Sequence, residues 1–224
     1  MTRLFVDSAN VARIAEYTSY GIVSGVTTNP VLLRKECTLT NQDPLEIVRE
    51  ICSIVPRKTP VSMQIVSDDY DSRMREIATI RELHENCVVK LPPDKLTLKI
   101  LSENSDLRNR VNVTGVFTPA LLYLFSLSSP AYISCILDKN EDWGQGNSFN
   151  LGGSLATSKS GSTKTIGASI RSPLSMTNAL CMGFDILTIP ISTLDCLFTD
   201  VRSTSVIQEM VRGWSTIMNK PVAI

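Results

Sequence analysis

Histidine is nearly absent from this sequence: His84 is the only one in 224 residues. A Ser-His-Asp triad or a multi-histidine metal centre would have to be built on that one side chain, which sits in a charged, helical stretch, so both are poorly supported. Paired cysteine spacing is missing too. The six cysteines (Cys37, Cys52, Cys87, Cys135, Cys181 and Cys196) fall singly, several inside apolar runs where a reduced thiol packs as a small hydrophobe. That is a cytoplasmic pattern, and core packing accounts for these thiols better than metal ligation. Net charge is also missing. Acidic and basic residues balance at 22 each, so no overall field recruits nucleic acid or an anionic membrane. No apolar run approaches the length of a membrane span. The start, Met1-Thr2-Arg3-Leu4-Phe5-Val6-Asp7, has the pattern of a strand, not of a charged leader before an apolar stretch. No G-x-G-x-x-G follows that first strand, which argues against a dinucleotide-binding sheet.

What is present is a steady beat of short apolar, β-branched runs and helical patterns. Eight strands are expected, at Leu4–Asp7, Gly25–Thr28, Val61–Ile65, Cys87–Leu91, Val111–Val116, Ala131–Leu137, Thr165–Ala168 and Ile186–Ile189. Helical patterns lie between them at Val11–Tyr20, Leu45–Val55, Tyr70–His84, Lys95–Glu103, Pro119–Leu127 and Pro173–Met182. In the third of these, Tyr70, Met74, Ile77, Ile80 and Leu83 form one apolar stripe. Pro173 suits a first helical position, and Gly183 suits the residue just past a helix end. Such alternation implies a parallel sheet covered by helices, and eight units favour closure into one (β/α)8 TIM barrel over residues 1–224. The hydrophobic content of 43 % is ample for its core. A Gly/Ser-rich segment, 144–162, interrupts the pattern after the sixth strand and is expected to be a mobile loop instead of a regular helix. An additional amphipathic helix is expected near the C-terminus, over 203–219, covering the barrel or docking on a neighbouring subunit.

In a (β/α)8 barrel the functional side chains stand at the C-terminal ends of the strands. Polar residues recur there. Strand one ends in Asp7, strand two runs into Thr27-Thr28-Asn29-Pro30, and strand three holds Gln64. Strand four ends Val88-Val89-Lys90-Leu91-Pro92, strand five holds Asn112 and Thr114, and strand seven ends in Ser169 with Arg171 close behind. Lys90 is the sharpest signal. A lysine amid Val88, Val89 and Leu91 would be desolvated, which lowers its pKa and makes the amine nucleophilic. The local sequence also accommodates a strand-end lysine that snorkels to solvent.

The motifs Phe5-Val6-Asp7-Ser8-Ala9-Asn10, Gly25-Val26-Thr27-Thr28-Asn29-Pro30, Val88-Val89-Lys90-Leu91-Pro92, Asn112-Val113-Thr114 and Ala168-Ser169-Ile170-Arg171-Ser172-Pro173 resemble the transaldolase family. The likeness is greatest to its short branch, which includes fructose-6-phosphate aldolase. It runs nearly the full length, through Thr188-Ile189-Pro190 and Trp214. The resemblance implies that Lys90 attacks a ketose carbonyl and forms an imine, the electron sink for cleaving the C3–C4 bond, with no cofactor and no metal. Asp7 would be the acid–base group on the cleaving hydroxyl. Thr114 and Gln64 would hold the water that relays protons. Asn29, with Thr28 beside it, would bind a donor hydroxyl, Asn112 would support Lys90, and Ser169 and Arg171 would bind a substrate phosphate. Blander roles fit each local sequence: Asp7 as a helix N-terminal acid, Asn29 as a turn former before Pro30, Gln64 and Thr114 as partners of buried backbone groups, Arg171 on a solvated loop.

Three departures stand out. Glutamine at position 64, where transaldolases proper carry glutamate, can position a water but cannot exchange a proton with it. Ile136 and Lys139 replace the family's aromatic and arginine on the sixth strand. Lys139 could still meet a phosphate as a point charge, without the bidentate fork. The aldolase branch carries glutamine at the place of Gln64, which leans towards aldolase-like water handling. Dihydroxyacetone transfer between sugar phosphates is the leading expectation, and reversible aldol cleavage releasing free dihydroxyacetone is the close alternative. A reading of another class is a barrel that binds sugar phosphate without turnover. Short members of the family commonly form rings of five or pairs of rings, so a homo-oligomer, pentamer or decamer, is expected.

Overall fold

The computed structural model describes residues 1–139, 149, 155 and 161–218. The expected eight strands form as β1 (Arg3–Asp7), β2 (Val23–Thr27), β3 (Val61–Gln64), β4 (Cys87–Leu91), β5 (Val111–Val116), β6 (Tyr132–Ile136), β7 (Lys164–Ala168) and β8 (Ile186–Pro190). They pair in parallel and in chain order, and β8 returns to β1 in the register Arg3↔Ile186 through Asp7↔Pro190. The molecule is a closed (β/α)8 barrel.

Helices α1 (Val11–Ser19), α2 (Pro30–Thr40), α3 (Pro44–Ile54), α4 (Tyr70–Leu83), α5 (Lys95–Glu103), α6 (Pro119–Ser126), α7 (Pro173–Cys181), α8 (Ile191–Leu197) and α9 (Val201–Met218) are found among the described residues, with a 3-10 turn at Ser105–Arg110. Side-chain caps start most of them. The Asn29 side chain accepts from the Val31 and Leu32 N–H groups ahead of Pro30, and Asp43 and Glu46 form a capping box on α3. Helices α2 and α8 and the 3-10 turn add to the sequence reading. The 144–162 segment, apart from Phe149, Leu155, Gly161 and Ser162, lies outside the described residues.

Two apolar layers hold the barrel. The larger lies between sheet and helices and includes Val6, Val26, Val61, Val89 and Val113 from the strands against Ile14, Ile47, Ile51, Ile77 and Ile100 from the helices. The smaller joins Phe5, Ile166 and Ile186, with Tyr132 packed edge-on to Phe5. Period-2 alternation separates the two sets: Val6 belongs to the outer layer, Phe5 to the inner. The inner set lies on the N-terminal side of Asp7 and Thr188, which follow Phe5 and Ile186 two residues along β1 and β8. Gly25 is required beside it, because a Cβ there would meet the Phe5 ring at 2.4 Å.

Candidate active site

Beyond that plug, the strand ends surround a cavity of about 670 Å³. Its walls include seven of the expected site residues: Asp7 from β1, Asn29 after β2, Gln64 ending β3, Lys90 from β4, Thr114 from β5, Lys139 after β6 and Ser169 after β7. Ile136 borders it too. Among the described residues its charged lining is two lysines and one carboxylate.

Lys90 is buried at 7 % exposure, and its Nζ donates to the Thr28 carbonyl at 2.9 Å. Burial pulls its pKa below the usual lysine value, partly opposed by the charge of Asp7. Asp7 responds in the opposite sense: burial raises its carboxyl, while Lys90 and a hydrogen bond from Thr27 hold it down. Thr27 Oγ1 donates to Asp7 Oδ1 at 2.8 Å and lies 2.6 Å from Thr188 Oγ1. Since the Thr27 proton goes to Asp7, the Thr188 hydroxyl must donate to Thr27, making a chain Thr188→Thr27→Asp7. Asp7 does not cap a helix; Asn10 caps α1.

Three expected residues stand outside the cavity lining. Thr28 turns its hydroxyl to the Ser62 carbonyl at 2.9 Å, and only its own carbonyl reaches Lys90. Asn112 is fully buried: its amide donates to Ser62 Oγ at 3.3 Å and accepts from Ser134 Oγ at 2.8 Å, so its hydrogen bonds run across the barrel and not to Lys90. The Arg171 main-chain N–H donates to Asp138 at 2.8 Å, fastening the turn after β7. In that turn Ser169 adopts a left-handed backbone, φ 62°, an energetically costly conformation for a residue with a Cβ that places it on the cavity wall.

A family model described as transaldolase/fructose-6-phosphate aldolase matches residues 4–220. The chain belongs to the transaldolase/fructose-6-phosphate aldolase family. A probable transaldolase of Methanococcus maripaludis is 33 % identical over 220 residues, covering 97 % of this chain and 100 % of that one. Probable transaldolases of Caldicellulosiruptor saccharolyticus (32 %, covering 97 % and 99 %) and Carboxydothermus hydrogenoformans (30 %, covering 96 % and 98 %) are similar along almost their whole lengths. Among solved structures, a dipeptide epimerase from Methylococcus capsulatus and a tryptophan synthase from M. tuberculosis each superpose with a TM-score of 0.53 at 13 % identity. Both matches cover 84 % of this chain, and 55 % and 82 % of the other chains respectively. They share the barrel architecture with this transaldolase/aldolase family member and nothing finer.

Thr27, Thr188, Ser134 and Phe117 also line the cavity, and none was given a site role from the sequence. The signal for Thr27 and Thr188 was register: Thr27 pairs with Asp7, and Thr188 lies two residues beyond the inner-layer Ile186.

Proposed function

We propose that this protein is a Schiff-base transaldolase that moves a dihydroxyacetone unit between sugar phosphates, with Lys90 as the nucleophile. One observation carries the reading: Lys90 and Asp7 stand on the wall of a single cavity of substrate size, where burial pushes the amine pKa down and the carboxyl pKa up. A lysine held toward its neutral form is a nucleophile at moderate pH. In the proposed sequence the Lys90 amine adds to the ketose carbonyl, and loss of water leaves a protonated imine. Asp7 removes the proton of the C4 hydroxyl; the C3–C4 bond breaks, its electron pair enters the imine as an enamine, and an aldehyde departs. The enamine then attacks an acceptor aldehyde, Asp7 returns its proton to the new hydroxyl, and water releases the product ketose from Lys90. Gln64 and Thr114 position that water. The excess of cation on the lining, with exposed Lys139 at its edge, suits a phosphorylated substrate.

Gln64 favours a second reading, aldol cleavage with release of free dihydroxyacetone, because water positioned by an amide takes the place of an acceptor. Incubating fructose 6-phosphate without acceptor separates the two: steady dihydroxyacetone release belongs to the aldolase, a single turnover that stalls belongs to the transaldolase. The imine itself is tested by borohydride reduction with fructose 6-phosphate and peptide mass mapping. An adduct on Lys90, absent in Lys90→Met, is expected. An adduct elsewhere, or turnover surviving Lys90→Met, refutes the assignment.

A further inference from the structure

A second cavity opens on the flank of the barrel, between α2, the start of α3, the end of β3 and α4. At about 640 Å³ it nearly matches the barrel mouth and falls within the range of small-molecule sites, roughly 300–1,000 Å³. It lies beside a thinly paired seam: β2 and β3 pair at only Val26↔Val61 and Thr27↔Ser62, as few positions as β7 and β8, whereas β1 and β8 pair at five. Leu33, Leu45, Met63 and Ile80 give the cavity apolar walls.

Two guanidinium groups stand on its lining, Arg34 from α2 and Arg75 from α4. Neither makes a salt bridge among the described residues, and Arg75 donates only to the neutral hydroxyl of Ser72, at 2.8 Å. The single carboxylate on the same lining, Glu76, is already satisfied: its Oε2 accepts from the Val66 and Ser67 N–H groups at 3.1 and 2.9 Å. Asp69, at the start of α4, acts on Arg75 through space, and Glu76 offsets one of the two charges. The described lining therefore carries one positive charge in excess beside an apolar hollow, which suits a ligand with an apolar body and an anionic end. Pro30 and Gln64 border both cavities, so the partition between them is one residue thick at each point.

We propose that this flank cavity is a second binding site, for a small amphipathic anion: a compact hydrocarbon or aromatic group bearing one carboxylate, sulfonate or phosphate, held by Arg34 and Arg75. The site shares Gln64 with the barrel mouth, but its binding of an anion stands or falls independently of the imine chemistry. An occupant would press on Pro30, which opens α2, and on Gln64, which closes β3.

The test is a fluorescence titration of the full-length protein with 8-anilinonaphthalene-1-sulfonate, an aromatic monoanion. Saturable binding at one site is expected, weakened at least tenfold in Arg34→Glu/Arg75→Glu. Both arginines are exposed, so the double variant leaves the core intact. Lys139→Glu controls for binding in the barrel mouth and Trp214→Ala for binding to α9; each is expected to bind as the wild type does. Undiminished binding in the double arginine variant, or loss of binding in either control, overturns the proposal. Because the readout is binding, its failure is distinguishable from failure of the Lys90 adduct.

Discussion

The charge of Asp7 raises the Lys90 pKa and the charge of Lys90 lowers that of Asp7, which makes pH the sharpest probe at residue scale. Asp7 is the one charge that opposes desolvation of Lys90, raising its pKa. Replacing the carboxylate with a neutral amide leaves burial unopposed, so the lysine pKa falls further. In Asp7→Asn the pH midpoint for trapping dihydroxyacetone on Lys90 with cyanoborohydride is therefore expected below that of the wild type, while turnover of fructose 6-phosphate drops by about 10²-fold or more through loss of the acid–base group. A midpoint that stays put or rises contradicts the through-space coupling of the two charges. Lys90 and Asp7 were legible in the sequence because a charge inside an apolar strand is anomalous. Thr27 and Thr188 were not, since threonine is an ordinary strand former and only three-dimensional register brings its hydroxyl to a carboxylate. Thr28, Asn112 and Arg171 were singled out by motif, but Thr28 turns its hydroxyl to the Ser62 carbonyl, Asn112 lies one step deeper on the Thr114 face of β5, and Arg171 falls in the turn past Ser169.

At the scale of elements, the strand ends are fixed by polar ties between neighbouring loops. Arg73 of α4 is buried, donates to both oxygens of Asp94 at 2.8 and 2.7 Å, and reaches the Ser67 carbonyl at 3.1 Å. It joins the loop after β3 to the loop after β4, which bear Gln64 and Lys90 at their roots. The guanidinium holds the Asp94 carboxyl below its usual value. A depressed acid stabilises the fold above the unfolded pKa and loses that contribution as pH falls through the folded one. Asp94→Asn is thus expected to cost about 1–2 kcal/mol at pH 7, moderated by the solvent that Asp94 retains, with the gap from wild type closing below about pH 4. Urea unfolding at both pH values measures it; a gap that widens in acid refutes the sign. Gly25→Ala probes the inner plug. The Phe5 ring blocks any Cβ there, and overpacking a closed barrel is expected to cost about 1–3 kcal/mol in the same assay. A variant as stable as the wild type would mean that the ring can yield. The strands were readable from β-branched runs, whereas α2 was not, because it buries only Leu33 and Glu36 and so has almost no apolar stripe. Its start was written in Asn29 and Pro30, a cap and a first-turn proline that also satisfy the reading of a simple turn. Helix α8 is short and lacks a side-chain cap, so it left no signal at all.

For the molecule as a whole, the unresolved balance lies in α9. It begins two residues before the expected 203 and buries none of its side chains within the chain. Ile207, Met210, Val211, Trp214, Ile217 and Met218 nonetheless follow helical spacing, and Trp214 is 63 % exposed. A contiguous apolar face of this kind is costly in water and marks a surface that another protein covers. We propose that a second copy of the chain covers it, in the ring assembly that the family likeness implies. The helix holds one acid, Glu209, and two bases, Arg202 and Arg212, so charge does little to keep copies apart. Light scattering on the purified protein is expected to give a mass several times 24.6 kDa. Trp214→Glu should reduce that mass, because one buried carboxylate opposes an apolar contact far more strongly than it disturbs an exposed helix. Since Trp214 is largely exposed in the protomer, the dissociated variant should keep its barrel and its Lys90 adduct. A strict monomer for the unaltered chain would end this proposal, and an assembly indifferent to a charge at position 214 would move the interface to another face.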